Sequence, residues 1–181
     1  MRLAPILIMA SVIVATVAGP AAAQSYITPF FGYNFGGDSL TCVSFSNCDE
    51  KHTNIGVAIG STGKFAGSEQ DISYVPHFFG DTPDVGNSML TAMTNFLVIL
   101  PAGPVRPYGV VGIGLMRAHA PTGTKNAIAW DIGGGANIFF TKRLGLRGDV
   151  RRIRSMQNIT LFILSGAKLE FWRATIGVTF R

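Results

Sequence analysis

The sequence predicts an all-β fold: an eight-stranded antiparallel up-and-down transmembrane β-barrel, preceded by an N-terminal signal peptide. Three observations lead to this prediction. The chain of 181 residues opens with a short apolar leader, continues in eight runs of alternating apolar and polar residues, and joins these runs by connections that alternate between short and long. Because 48% of the residues are hydrophobic, only 14% are charged and 13 are phenylalanine, the composition excludes an intrinsically disordered chain.

Residues 1–23 have the features of a secretory signal peptide. Arg2 precedes a short apolar run, and Ala21-Ala22-Ala23 provides the small residues that a cleavage site requires. The alternative, a permanent transmembrane helix, needs about 20 apolar residues, and prolines and polar residues interrupt this run. We therefore expect export and cleavage before Gln24, which leaves residues 24–181 as one β-barrel domain.

Export bears on the two cysteines of the chain, Cys42 and Cys48. Both lie in the polar stretch 40–51, and a disulfide bond persists in an oxidising compartment. This stretch is therefore a candidate for a small disulfide-bridged loop that contains Phe45, with two unpaired cysteines as the alternative. Two thiols alone are too few for a structural zinc site.

The mature chain shows almost no helical periodicity, and its alternating runs are the pattern of β-strands. The predicted strands are residues 26–35, 53–61, 68–79, 89–100, 107–118, 129–141, 144–154 and 168–180.

The connections between these strands alternate in length. The short ones are residues 62–64, 101–106 and 142–143, and the longer ones are residues 36–52, 80–88, 119–128 and 155–167. The short connections contain turn residues. Short turns at one end of a barrel and longer loops at the other are typical of transmembrane barrels.

The last three strands separate their side chains into an apolar face and a charged face. The charged residues on one face are Asp131, Arg147, Asp149, Arg151 and Arg173. The pattern alone does not decide which face points inward, because a soluble barrel that carries an apolar ligand has its apolar face inside. Aromatic residues at strand ends favour the transmembrane arrangement, in which they form girdles at the membrane interfaces. The girdle candidates are Trp130, Phe140, Trp172 and Phe180.

Eight strands enclose an interior that side chains fill, whereas water-filled porins need about 16 to 18 strands. The polar candidates for this interior carry both signs of charge and predict a paired network that plugs the lumen, because unpaired buried charges are costly. They are Glu69, Asp71, Asp131, Arg147, Asp149, Arg151 and Arg173. The alternative is a gated ion path in which these salt bridges rearrange.

The stretch from Trp130 to Arg151, WDIGGGANIFFTKRLGLRGDVR, and the closing stretch WRATIGVTF from Trp172 to Phe180 resemble the last hairpin and the final strand of a known family. This is the family of small outer-membrane β-barrels, the porin-family or OmpA-like eight-stranded proteins. The resemblance implies a monomeric barrel of the Gram-negative outer membrane, in contact with outer-membrane lipid and lipopolysaccharide. It also implies insertion by the outer-membrane assembly machinery through the C-terminal strand, which commonly ends on an aromatic residue, whereas here Arg181 follows Phe180.

The sequence predicts no catalytic residue, no cofactor and no metal site. The three histidines, His52, His77 and His119, lie in no motif that pairs a histidine with a nucleophile or a metal-ligand partner. A lipid-modifying site that combines His77 with Ser73 and Asp81 is the enzymatic alternative.

The glycine and arginine runs do not predict a nucleotide or nucleic-acid site. The glycines at 112–114 and 133–135 lack the helix of a dinucleotide-binding motif and leave room for large neighbours in a barrel. The arginines at 147–154 alternate with apolar residues on one strand. Arg152 and Arg154 lie near the outer end of that strand, where they contact lipopolysaccharide phosphates or form a solvated rim.

We expect the loops to determine which extracellular ligand the barrel binds, and the sequence does not identify that ligand. The apolar segment 159–164 is either an extension of a strand pair or a contact patch. The sequence thus favours a structural or surface-interaction barrel on the cell surface. A soluble periplasmic or secreted lipocalin-like carrier of an apolar ligand is the first alternative, and a membrane-embedded lipid-modifying enzyme is the second.

Overall fold

A computed structural model of the chain describes residues 23–36, 52–76, 88–120, 123–156 and 169–181. These residues form β1 (Gln24–Phe35), β2 (His52–Thr62), β3 (Ala66–Pro76), β4 (Ser88–Ile99), β5 (Val105–Ala120), β6 (Gly123–Phe139), β7 (Leu144–Ser155) and β8 (Glu170–Phe180). Each strand pairs antiparallel with the next, and β8 pairs with β1, so that the sheet closes into a barrel. The predicted eight-stranded up-and-down topology is confirmed. None of the described residues forms a helix long and apolar enough to cross a membrane.

The register of the strands sets the tilt of the barrel. The row of paired residues that starts at Gln24 passes through all eight strands and returns to β1 at Asn34. The offset is ten residues (34 − 24 = 10). For eight strands, this offset tilts each strand by roughly 40° from the barrel axis.

The direction of the two faces settles the choice that the sequence left open. Side chains such as Phe31, Ile55 and Ile113 are more than half exposed on the outside of the barrel, whereas Asp131 and Arg151 are fully buried inside it. The polar face therefore points inward and the apolar face outward. This is the arrangement of a transmembrane barrel and the reverse of a soluble carrier of apolar ligands.

The three short connections, residues 63–65, 100–104 and 140–143, lie at one end of the barrel, which we call the turn end; the opposite end is the loop end. Gly103 adopts a φ of 69° in the second of these turns, a conformation that glycine allows without strain. In the third turn, the amides of Phe140 and Thr141 donate to the carbonyl of Leu144 at 3.1 and 3.2 Å. This turn ends β6 at Phe139, two residues before the predicted end.

The fifth connection corrects the prediction of a loop over residues 119–128. The structure extends β5 to Ala120 and starts β6 at Gly123, and the two strands stay paired at His119 and Thr124. From Gly123 to Ala127 the residues are small or polar, so the alternation that identifies a strand is lost although the backbone pairing continues. Only residues 121–122 separate the two strands.

Two apolar clusters occupy the lumen near its two ends. The cluster on the turn-end side consists of Leu97, Ile99, Tyr108 and Val110. The cluster on the loop-end side consists of Val75, Met89, Met93, Met116, Ala127, Ala129, Ile153, Leu169 and Phe171. The charged side chains of the lumen lie between these clusters.

Candidate functional site

The structure brings all seven charged residues of the predicted lumen network together inside the barrel. Each is at most 6% exposed. Their spacing explains the placement, because residues two apart on a strand point to the same face. They come from β3 (Glu69, Asp71), β6 (Asp131), β7 (Arg147, Asp149, Arg151) and β8 (Arg173).

Arg151 is the centre of this network. Its Nη2 donates to Glu69 Oε1 at 2.8 Å and to Asp149 Oδ2 at 3.0 Å, and its Nε donates to Asp149 Oδ1 at 3.2 Å. Its Nη1 lies 3.4 Å from Asp131 Oδ2 and 3.5 Å from Asp71 Oδ2. One guanidinium therefore contacts all four carboxylates of the network.

Arg147 lies on the turn-end side of Arg151 and binds two of the same carboxylates. It forms a two-pronged salt bridge with Glu69 and donates to Asp149 Oδ2 through Nε at 3.2 Å and Nη2 at 3.1 Å. The rings of Tyr26 and Tyr108 face its guanidinium, with centroids at 5.9 and 4.8 Å. These contacts combine charge-assisted hydrogen bonds with cation–π attraction.

The two tyrosines also donate hydrogen bonds into the network. The hydroxyl of Tyr26 donates to Glu69 Oε2 at 2.5 Å, and that of Tyr108 donates to Asp149 Oδ2 at 2.8 Å. The sequence analysis does not predict either tyrosine as part of the network, because its lumen candidates are charged residues only. Their position on the inward face of β1 and β5 was the available signal.

Arg173 forms the loop-end side of the network. Its two terminal nitrogens bind the two oxygens of Asp71 at 2.9 and 2.8 Å, and Nη1 also donates to Ser73 Oγ at 2.9 Å. Ser73 shares a further hydrogen bond with Thr91. Ser73 is thus buried inside the lumen and does not face the membrane lipid on which a lipid-modifying site with His77 would act.

Glycines on β5 and β6 provide the space that the network needs. A Cβ at Gly112 would lie 1.9 Å from Asn95 Oδ1 and 2.4 Å from Asp131 Oδ1, and a Cβ at Gly135 would lie 2.7 Å from the hydroxyl of Tyr108. With its amide turned, Asn95 donates to Asp131 Oδ1 at 3.1 Å and accepts from Arg151 at 2.7 Å. The glycine runs of the sequence therefore leave room for polar side chains in the lumen.

The aromatic girdle candidates lie on the outside of the barrel near both ends of its apolar surface. Trp172 and Phe180 share the outward face of β8 at 40% and 46% exposure, and the eight residue steps from one to the other (180 − 172 = 8) span roughly 20 Å along the barrel axis. Phe140 is exposed at the turn end. Trp130 lies in the middle of β6 and not at its predicted end, because β6 continues to Gly123. It pairs with Arg154 on β7, two residues from Arg152, which pairs with Trp172, so the two tryptophans lie near each other on the outer surface.

Arg181 follows Phe180 at the turn end. Its guanidinium stacks on the ring of Phe139 with a centroid distance of 3.6 Å, and its amide donates to the carbonyl of Arg143 at 2.9 Å. Burial of the guanidinium, together with the nearby charge of Arg106, lowers the pKa of Arg181.

Several candidates from the sequence lie outside the described residues: Cys42, Cys48, His77 and the segment 159–164. Of the other histidines, His119 shares a 2.9 Å hydrogen bond with Thr124, and His52 begins β2. Over the parts of the chain that the structure describes, no group of three or more histidine, cysteine or acidic residues is arranged to hold a metal ion.

Comparisons with known proteins agree with this architecture. A family model described as the outer membrane protein beta-barrel domain matches residues 6–181. Among solved structures, the chain is similar to Neisserial surface protein A (NspA), with a TM-score of 0.65 and 14% identity over 87% of this chain and 97% of that chain. A sequence comparison with curated proteins finds no match.

Two further solved structures share the fold. One is Ail, the attachment invasion locus protein of Yersinia pestis, with a TM-score of 0.53 and 13% identity over 87% of this chain and 99% of that chain. The other is a major outer membrane protein from Thermus thermophilus, with a TM-score of 0.53 and 14% identity over 88% of this chain and 99% of that chain.

Proposed function

The chain belongs to the outer membrane protein beta-barrel domain family, and on this premise we propose that it has a structural or surface-interaction role, with a lumen that is closed to general diffusion. It is a small eight-stranded outer-membrane barrel whose interior is filled by buried charged residues. The proposal concerns what such a barrel does in the membrane.

The observation that carries this proposal is the filling of the lumen. The three arginines and four carboxylates bind each other across the interior, and the apolar clusters lie on both sides of them. An ion that crosses this interior would have to break buried salt bridges and pass apolar side chains, which is costly. The arrangement favours a plug over a gated ion path.

The test is solute permeation through proteoliposomes. Refolded barrel, checked by its heat-modifiable mobility in a detergent gel, is reconstituted beside a 16-stranded porin as the positive control. We expect no swelling in isotonic arabinose or maltose for the barrel and rapid swelling for the porin. Size-dependent swelling with the barrel would overturn the closed-lumen proposal.

The surface role is supported by the shape of the loop end. Beyond Trp130, β6 continues by seven residues to Gly123, which corresponds to roughly 18 Å along the barrel axis, and it stays paired with β5. The paired ends of β5 and β6 thus project well beyond the aromatic girdle. The similar protein Ail carries attachment and invasion in its name and was crystallised with the heparin analogue sucrose octasulfate. By analogy, we propose that the loop end of this barrel forms a contact surface for an extracellular ligand.

The remaining proposals concern the location of the protein in the cell and its assembly. The signal peptide is cleaved before Gln24, the assembly machinery inserts the barrel through β8, and the barrel is a monomer without catalytic activity or a bound cofactor. N-terminal sequencing of the protein from an outer-membrane fraction tests the cleavage. A mature protein that starts at another residue would contradict the proposed cleavage site, and recovery in a soluble fraction would contradict the outer-membrane location.

A further inference from the structure

A cluster of charged side chains lies on the outside of the barrel near the loop end. Arg152 and Arg154 on β7 and Glu170 on β8 point outward, with 40%, 38% and 25% of their side chains exposed. Glu170 Oε1 accepts from Arg152 Nε at 2.8 Å and lies 2.5 Å from Nη2, and Glu170 Oε2 lies 3.3 Å from Arg154 Nε. One carboxylate thus holds two guanidiniums side by side.

The two tryptophans of the chain flank this cluster. Trp130 pairs with Arg154 across β6 and β7, and Trp172 pairs with Arg152 across β7 and β8. Tryptophan in a transmembrane barrel lies at the interface between the acyl chains and the headgroups. The arginines therefore reach the level at which the outer-leaflet headgroups begin.

The cluster has a positive charge and free hydrogen-bond donors. Two guanidiniums and one carboxylate give a net charge of +1, and Glu170 engages only the Nε of Arg154. An arginine carries five N–H donors, and within the described strands no carboxylate binds the terminal nitrogens of Arg154 or the Nη1 of Arg152, which can donate to a further anion. Among the described strand residues, the outward-facing charged side chains are Arg117, Arg152, Arg154 and Glu170, so this cluster holds two of the three outward-facing arginines.

We propose that Arg152 and Arg154, held in position by Glu170, bind the phosphate group of a lipopolysaccharide headgroup in the outer leaflet. The guanidinium group matches a phosphate through parallel N–H···O bonds, and two adjacent guanidiniums supply enough donors for one phosphate. The flanking indoles lie where the sugar and the first part of the acyl chains pass. This inference rests on the proposed function, because it requires the barrel to reside in the outer membrane.

The test uses the two native tryptophans as fluorescence reporters. Purified barrel in detergent micelles is titrated with bisphosphorylated lipid A and, separately, with dephosphorylated lipid A. The variant R152Q/R154Q removes both guanidiniums from the site and keeps both tryptophans. The matched control K142Q/R143Q removes the same charge from the exposed turn at the opposite end of the barrel.

We expect saturable binding of bisphosphorylated lipid A by the wild type and by K142Q/R143Q, and affinity lower by at least about tenfold for R152Q/R154Q. Dephosphorylated lipid A should bind the wild type as weakly as phosphorylated lipid A binds R152Q/R154Q. Equal affinity of the wild type and R152Q/R154Q would overturn the inference. Competition by inorganic phosphate at the concentration of the lipid would also overturn it, because the site would then bind any phosphate.

Heat-modifiable mobility is measured first for each variant, so that a folding defect is recognised before binding is compared. If the folded wild-type barrel binds both lipids equally, the inference fails and the proposed function stands. If the native protein is recovered outside the outer membrane, the proposed function fails whatever the lipid titration shows.

Discussion

Replacement of Arg151 by methionine tests whether the lumen network stabilises the barrel. Arg151 is fully buried and contacts four carboxylates. After the substitution, Glu69 and Asp149 keep Arg147, and Asp71 keeps Arg173, but Asp131 has no arginine left. Removal of one partner of a buried ion pair costs about 3–5 kcal/mol. We expect R151M to lower the free energy of unfolding by about this amount.

The matched control is the next residue on the same strand. Arg152 carries the same side chain on the outer face, where it is 40% exposed and bridges to Glu170. Because an exposed ion pair contributes about 0–1 kcal/mol, R152M should lose at most about 1 kcal/mol. Urea titration of the barrel in vesicles, read by the folded and unfolded bands in a detergent gel, gives both values.

The two variants R151M and R151K together keep this prediction decisive. R151K retains the charge but loses the planar fork, so its loss should lie between those of R152M and R151M. If R151M does not fold, R151K still has to be less stable than R152M. A free energy of unfolding for R151M within about 1 kcal/mol of that for R152M would refute the reasoning, because the network would then contribute no more than a surface pair.

Three further predictions follow from the packing and from the sequence. Gly112→Ala should lower the free energy of unfolding by about 1–3 kcal/mol, because its Cβ would lie 1.9 Å from the buried side-chain amide of Asn95, whereas Gly109→Ala on the same strand meets nothing within 4 Å and should be neutral in the same urea titration. Tyr108→Phe should lose about 1–3 kcal/mol by the same assay, since it leaves a buried carboxylate and a guanidinium each without one partner; an unchanged unfolding midpoint would contradict this. Cys42 and Cys48 should resist alkylation of the exported protein until a reductant is added, and labelling without reductant, followed by mass spectrometry, would show free thiols.

The lipid-facing and lumen-facing positions could be predicted from the sequence because the two environments select opposite residue types. On β7, Arg147, Asp149 and Arg151 alternate with apolar residues, and this alone identified a strand with a charged face. The direction of that face required the closed sheet. A strand pattern contains no information about which side of the sheet becomes the interior.

The sequence-based prediction was wrong where a strand does not alternate between apolar and polar residues. From Gly123 to Ala127, β6 carries only small or polar residues, so the pattern predicts a loop where the backbone remains paired. Tyr26 and Tyr108 were missed for a related reason, because an aromatic side chain fits either face and its hydroxyl partner lies on a distant strand. Contacts between strands that are not neighbours in sequence depend on register, which the local pattern does not specify.

The distances along the chain between network partners have a consequence for assembly. Arg173 binds Asp71 across 102 positions, and Arg147 binds Glu69 across 78 positions. The guanidiniums of β7 and β8 reach β3 only when every strand between them has its correct register, since a slip of two residues would keep the faces but move each charge by about 7 Å. These ion pairs therefore form only in the closed sheet with its correct register. The network thus stabilises the one strand register in which the last strand closes the barrel, and no other.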